Sequence, residues 1–383
     1  MTVVHLRRAE PGLLVIAPER APLVIDAAPG LDVLVLEVVG GQLSWNLFDE
    51  ESVPAAVLDD VEAAQDWVWA VYGEEVAAAV ADDRPGPLTA VPARRAPAAA
   101  LRRLAYAHWA SRWWPASTLD GIPALDPRLL VAEIETLSEQ CEMMVDGEID
   151  ELSRELDADA RLGTADTFDG GGTAPGIGGS SSDLSDTSDG RGIEGDKSLI
   201  GRTSGRAEDY ALAAGGADTS DGLIVARGSG GWNWRRCPPG ILDAGENAVS
   251  WQVTRAAGVS TVRVSVVASP DCRGTVPEHL RPHAWVRPAD TPSAHTLSPD
   301  AEFTTPLHRQ GDAWTGSVRL AGAPESSPEI TIFVPGVGPA DPPEDEAAAR
   351  NRIRRFARAR LTESAGDQRL TAETAAAETD EDF

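Results

Sequence analysis

The chain is almost devoid of lysine. Among its 33 basic residues the sole lysine is Lys197, and it lies in a Gly/Ser/Asp-rich stretch. The parts of the sequence able to fold therefore offer no lysine for a Schiff base, a P-loop or a kinase-type phosphate contact. Arginine in place of lysine, with abundant Ala, Gly and Pro, suggests a high-GC coding bias. Cysteine is nearly as scarce. Cys141, Cys237 and Cys272 are an odd number, and too few for an oxidised secreted framework. Long hydrophobic runs are missing too. Leu13–Ala17 and Val33–Leu36 fall far short of the roughly 20 residues that cross a bilayer. The apolar run after Arg7 and Arg8 stops at Pro18-Glu19 without a small-residue cleavage site, so it does not read as a signal peptide. The expected location is the cytoplasm.

Positive charge is in deficit, unevenly. The net charge is −28 over 383 residues. Residues 1–156 carry 27 acids against 11 bases, and residues 157–222 carry 13 against 5. Residues 223–340 are balanced at 10 and 10, and residues 341–383 carry 11 against 7. An acidic first half repels phosphate backbones and anionic lipid, so neither nucleic acid nor membrane is the expected partner.

What is present is a 42% hydrophobic fraction, enough for ordinary cores in a chain of two-domain length. The pattern predicts an α+β fold in two domains: a small antiparallel sheet followed by helices, then an all-β sandwich- or barrel-like domain with a C-terminal helix. Strands are expected within residues 12–48, at Leu13–Ile16, Leu23–Ile25 and a Val33–Val39/Gln42–Phe48 hairpin turning on Gly40-Gly41. Helices are expected over 52–156. One starts near Ser52-Val53-Pro54 and ends at Gly73, one spans about Ala98–Trp114, and one starts at Asp126-Pro127. Pro85–Pro97 reads as a connector and Gly147 as a weak point.

Residues 157–206 read as a disordered linker, because tracts such as Gly178–Ser182 and Ser185–Asp189 have nothing to bury. After a short helical stretch at Ala207–Ala214, the β domain is expected over 207–340. Its predicted strands are Leu223–Arg227, Trp232–Arg235, Ala248–Arg255, Ser260–Ala268, Ala284–Arg287, Glu302–Leu307, Ala313–Leu320 and Glu329–Val334. A basic amphipathic helix is expected over 341–362 and a disordered acidic tail over 363–383.

Three strings imitate motifs. Gly190–Ser198 resembles a phosphate loop, but Asp196 separates the glycine from Lys197 and no apolar strand precedes it. Gly228-Ser229-Gly230-Gly231 has Asn233 where a dinucleotide fingerprint needs glycine, and is read as a tight turn. Gly201–Gly205 has Thr203 where a nucleophile elbow needs serine. No cofactor is expected.

Cys237, Cys272, His279 and His283 are weak metal candidates, since two thiols and two imidazoles form a tetrahedral set but their spacing is poor. Buried thiols and surface histidines are the plainer reading. The third helix's carboxylates, Glu133 to Glu155, read as a solvated face.

Two clusters fit binding. Tyr106, Trp109, Trp113 and Trp114 beside Arg112 form either core or a Trp/Arg interface patch. Arg354, Arg355 and Arg358 belong to the basic helix, which is expected to dock on an acidic surface, in this chain or in another protein. The leading expectation is a non-catalytic adaptor or scaffold subunit that binds other proteins in a cytosolic bacterial multi-protein system. The alternatives are a hydrolase or metal site in the β domain, and a small-ligand or carbohydrate module stacking on Trp232, Trp234 and Trp251.

Overall fold

A computed structural model describes residues 2–9, 12–25, 28–49, 53–93, 95–145, 222–272, 274–287, 303–320, 327–337, 346–362 and 369–380. The expected linker and the stretch Ala207–Ala214 lie outside these residues. So does His295.

The N-terminal half holds a six-stranded antiparallel sheet of β1 (Thr2–Ala9), β2 (Leu13–Pro18), β3 (Val33–Val38), β4 (Gly41–Asn46), β5 (Ala55–Leu58) and β6 (Gly86–Ala90), in the order β3-β4-β5-β2-β1-β6. The predicted hairpin is β3–β4, with Val38 opposite Gly41. A Cβ on Gly41 would stand 2.3 Å from the Val57 carbonyl oxygen, so this glycine lets β4 lie against β5.

Several elements differ from the sequence expectation. The stretch Pro85–Pro97, read as a connector, contains β6, which pairs with β1, and the start of a helix at Arg95. β1 was not expected, because Arg7 and Arg8 interrupt its apolar alternation, yet Val4 and Leu6 are buried. Leu23–Ile25 is not a strand; Val24 and Pro22 instead offer carbonyls to Gln42 Nε2 (2.5 Å) and Ser44 Oγ (2.6 Å). Pro54 leads into β5 and not into a helix. The helix start belongs to Asp60, whose Oδ1 accepts from Glu62 N and Ala63 N at 3.1 Å.

That cap opens α1 (Val61–Tyr72), followed by α2 (Glu74–Ala81) after Gly73. Helices α3 (Arg95–Trp113) and α4 (Pro127–Val145) pack on each other, and α3 also lies on β3. The Asp126 cap of α4 is present, with Oδ1 accepting from Arg128 N at 2.8 Å.

The C-terminal half contains two further antiparallel sheets. One has the order β12-β13-β9-β8-β7, from β7 (Leu223–Gly230), β8 (Val249–Ala256), β9 (Val259–Val267), β12 (His308–Gln310) and β13 (Ala313–Leu320). The other has the order β11-β10-β14, from β10 (His283–Arg287), β11 (Thr304–Pro306) and β14 (Glu329–Phe333). Val253, Val262 and Val318 line one face of the first, and Ala284, Val286 and Ile332 one face of the second; all are buried in the same cluster. Trp232–Arg235, predicted as a strand, instead turns through a 3₁₀ segment at Trp234–Arg236 capped by Asn233. The Gly228–Gly231 string is not a tight turn. Strand β7 runs through to Gly230, and the Trp251 ring lies across Gly228, where a Cβ would be 2.6 Å from the ring.

The chain closes with α5 (Ala347–Thr362) and α6 (Thr371–Asp380). Helix α6 corrects the expectation of a disordered tail. Leu370, Ala372, Glu373 and Ala376 are buried, because α6 packs on both α4 and α5. With six helices and three antiparallel sheets among the described residues, the fold is mixed α+β. No described helix is long and apolar enough to cross a membrane.

Candidate functional site

The basic helix α5 docks within the chain. Ile353 and Ala357 are buried, and Phe356 meets Phe48, Tyr106 and Trp109 edge-on at 5.8, 6.1 and 6.3 Å. Its arginines reach carboxylates on both halves. Arg352 pairs with Asp32 at 2.7 Å, and Arg358 with Asp120 at 2.6 Å. Arg350 pairs with Glu246 at 3.0 Å. Arg354, with its side chain 3% exposed, pairs with both Asp120 (3.2 Å) and Glu246 (3.0 Å) and donates to the Ala244 carbonyl. It also lies over Trp234, 6.0 Å from the ring centroid. Arg355 is exposed, and its Nε donates to the Asn351 carbonyl one turn back at 3.4 Å.

Helix α6 completes this clasp. Glu373 is fully buried, accepts from Arg360 through both oxygens, and also accepts from Tyr106 Oη (2.6 Å) and Leu370 N (2.8 Å). The Glu-rich helix α4 is tied in through α3 and α6, since Glu133 accepts from Arg103 and from Thr371 N, both at 2.7 Å; the acidic partners of the α5 arginines are instead Asp32, Asp120, Glu246 and Glu373.

These contacts decide the fate of the aromatic face. Tyr106 and Trp109 stack at 5.7 Å and are buried under α5; Trp109 Nε1 donates to the Leu31 carbonyl. Trp114 is buried and donates to the Pro123 carbonyl. Of the two readings of this face, core or interface, Tyr106, Trp109 and Trp114 take the first, because the chain supplies its own cover. Its outer end differs. Trp113 is half-buried and has two guanidiniums over its ring, with Arg112 4.9 Å and Arg235 5.7 Å from its centroid.

There the end of α3 meets the loop between β7 and β8. Trp113, Trp114, Trp232 and Trp234 line a slot with Arg112 at its rim and Cys237 in its wall. The room inside is about 30 Å³, space for a few water-sized groups. Ordinary small-molecule sites are roughly ten times larger. The slot is held by main-chain and buried polar contacts. Ala244 N donates to the Ala116 carbonyl, and Trp232 Nε1 to the Asp243 carbonyl. The Asp243 carboxylate is fully buried and accepts from Ser117 Oγ (2.6 Å), Thr118 N (2.7 Å) and Gly245 N (2.8 Å). Burial raises its pKa, against the lowering effect of these donors.

The metal candidates do not converge. Among the described residues no three His, Cys, Asp or Glu side chains are grouped to hold an ion. Cys237 is buried, and desolvation pushes its thiol up to about 12. Cys272 is buried and takes an Arg309 contact, while His279 is exposed and His283 hydrogen-bonds the Arg281 carbonyl. Of the proposed sugar-stacking tryptophans, Trp232 and Trp234 are buried and Trp251 covers Gly228.

Sequence reasoning missed Asp120, Asp243, Glu246 and Glu373. Each is a single acid among many, distinguished only by partners more than 100 residues away or by the unforeseen α6. The chain matches no known family, no curated protein and no solved structure.

Proposed function

We propose that this protein is a non-catalytic adaptor that binds another protein at the tryptophan slot. In this reading an N-terminal α+β module and a C-terminal sandwich-like module are held as one platform by the α5–α6 clasp. The observation carrying it is the slot itself, which exposed Arg112 and half-buried Trp113 line together with Trp114, Trp232 and Trp234. Trp and Arg at a small, rigid, apolar concavity are the chemistry of interface hot spots. Its size suits the tip of one apolar side chain better than a cofactor. Arg112, already stacked on Trp113, would meet an acidic group at the partner's rim.

The test is quantitative affinity purification of tagged full-length protein from its native host, with Trp113→Ala compared with wild type. A near-stoichiometric protein partner is expected, lost in the variant while the thermal midpoint stays within a few degrees. Recovery of the same partner at equal yield by Trp113→Ala overturns the slot, and absence of any stoichiometric partner overturns the adaptor reading.

A further inference from the structure

The lining of the tryptophan slot selects the chemistry of what can enter it. Four indoles around a small space would suit a quaternary ammonium, because ring faces attract cations. Here the chain fills those positions itself. Arg112 and Arg235 lie over Trp113, and Arg354 lies over Trp234. None of the lining residues is Asp or Glu, so nothing in the slot balances a further positive charge.

Polarity is ordered from the interior to the mouth. Trp114, Trp232, Trp234, Cys237 and Leu242 are buried, Trp113 is half-buried and Arg112 is exposed. The indole N–H groups of Trp114 and Trp232 are spent on the carbonyls of Pro123 and Asp243. Burial holds the Cys237 thiol neutral. The interior is thus uncharged and largely apolar, and the one charge of the lining stands at the mouth. Arg112 rests on the Trp113 ring, and among the described residues no carboxylate pairs with it. A guanidinium stacked by its face keeps its in-plane N–H fork for a bidentate acceptor.

We infer that the slot binds a carboxylate that trails a short aliphatic tip, the tip entering among the indoles and the carboxylate meeting Arg112. A room of about 30 Å³ takes a few carbons and no aromatic ring. An Asp or Glu side chain has the opposite order, in this chain or any other. Its carboxylate leads, which would press charge against indole and thiol and leave Arg112 behind. Two sources share the required order: the free carboxy-terminus of a chain ending in a small aliphatic residue, and a free short-chain acid. The inference rests on the reading of the slot as a binding site and names the group that enters it.

The indole ¹⁵N–¹H NMR signals of the full chain test it, with Trp113→Phe assigning the Trp113 signal. The probes are the peptide Gly-Ser-Gly-Val with a free carboxy-terminus, the same peptide amidated, and isobutyrate. A saturable shift of the Trp113 signal with the free peptide is expected. Amidation or Arg112→Gln should weaken it roughly tenfold, and a terminal glycine in place of valine should do the same. Arg112→Lys should keep part of the affinity, and Arg128→Gln, exposed on α4, all of it. Circular dichroism checks folding, and a native spectrum is expected because Arg112 is exposed. Tighter binding of the peptide than of isobutyrate assigns the site to a chain end, and the reverse order to a free acid; both support the inference. No saturable shift with either acid overturns it, as would result if a group of this chain already filled the slot. Equal affinity of the amide, or of Arg112→Gln, overturns it too, as does tetramethylammonium binding at the Trp113 signal more tightly than isobutyrate. The adaptor reading fails separately. A stoichiometric partner lost in Trp113→Ala without carboxylate binding keeps the adaptor and removes this inference. Carboxylate binding without such a partner keeps this inference and removes the adaptor.

Discussion

At the scale of single residues, Glu373 and Arg354 do the most to hold the chain's end. Glu373 is fully buried and accepts from Arg360, Tyr106 and the backbone of Leu370. Glu373→Ala would remove the carboxylate that the Arg360 guanidinium, its side chain only 12% exposed, engages through both oxygens. A loss of about 3–5 kcal/mol is expected in urea unfolding, and Glu373→Gln, which keeps the shape and one acceptor, should lose less. Equal losses would show that charge, not shape, matters there. Asp243 behaves differently. Its folded pKa is raised by burial, so the folded state holds its proton more tightly than the unfolded chain does. Its contribution is therefore most favourable at low pH. It declines as pH rises through the ordinary carboxylate range up to the raised value, and is constant above it. The stability of wild type relative to Asp243→Asn should fall across that window in urea melts at stepped pH; parallel curves would refute the linkage. Buried thiols give a third residue-scale expectation. With Cys141 pushed to about 11 and Cys237 to about 12, native protein at mildly alkaline pH should react slowly with Ellman's reagent, and urea should release all three thiols.

At the scale of elements, local chemistry was legible wherever it decided the outcome. The Gly40-Gly41 hairpin, the Asp126 cap, the break at Gly73 and β13 could all be read from turn residues and alternation. Reading failed where tertiary contact overrode local pattern. Helix α6 is built from Ala, Thr and Glu, and its small buried positions carry little hydrophobic signal until α4 and α5 are beside them. β7 runs through Gly228 because Trp251, on the neighbouring strand, lies across it. The Tyr106–Trp109 face was recognisable as apolar, but its cover was not, since Phe356 lies about 250 positions along the chain. Removing α5 and α6 by truncation at residue 345 should therefore expose Phe48, Tyr106 and Trp109. It should also leave Asp32, Asp120 and Glu246 without their arginines. A lower thermal midpoint and strong binding of an apolar dye are expected, and an unchanged melting curve would show that the clasp contributes nothing.

At the scale of the whole molecule, two electrostatic effects oppose each other. The net charge of −28 produces long-range self-repulsion, which disfavours the compact state. The clasp ion pairs act at short range, from 2.6 to 3.2 Å, and several are largely shielded from solvent. Added salt screens charges separated by more than the Debye length, about 8–10 Å at physiological ionic strength, and affects close, partly buried pairs much less. Moderate sodium chloride should thus remove more repulsion than attraction, and unfolding free energy should rise from low to physiological salt. The same measurement on Arg354→Met separates the two terms. That substitution removes two short pairs but only one unit of charge, so it should lower stability at every salt concentration while leaving the upward slope nearly intact. A wild-type stability that falls with salt would mean that the clasp pairs, not the net charge, dominate the electrostatics of the fold.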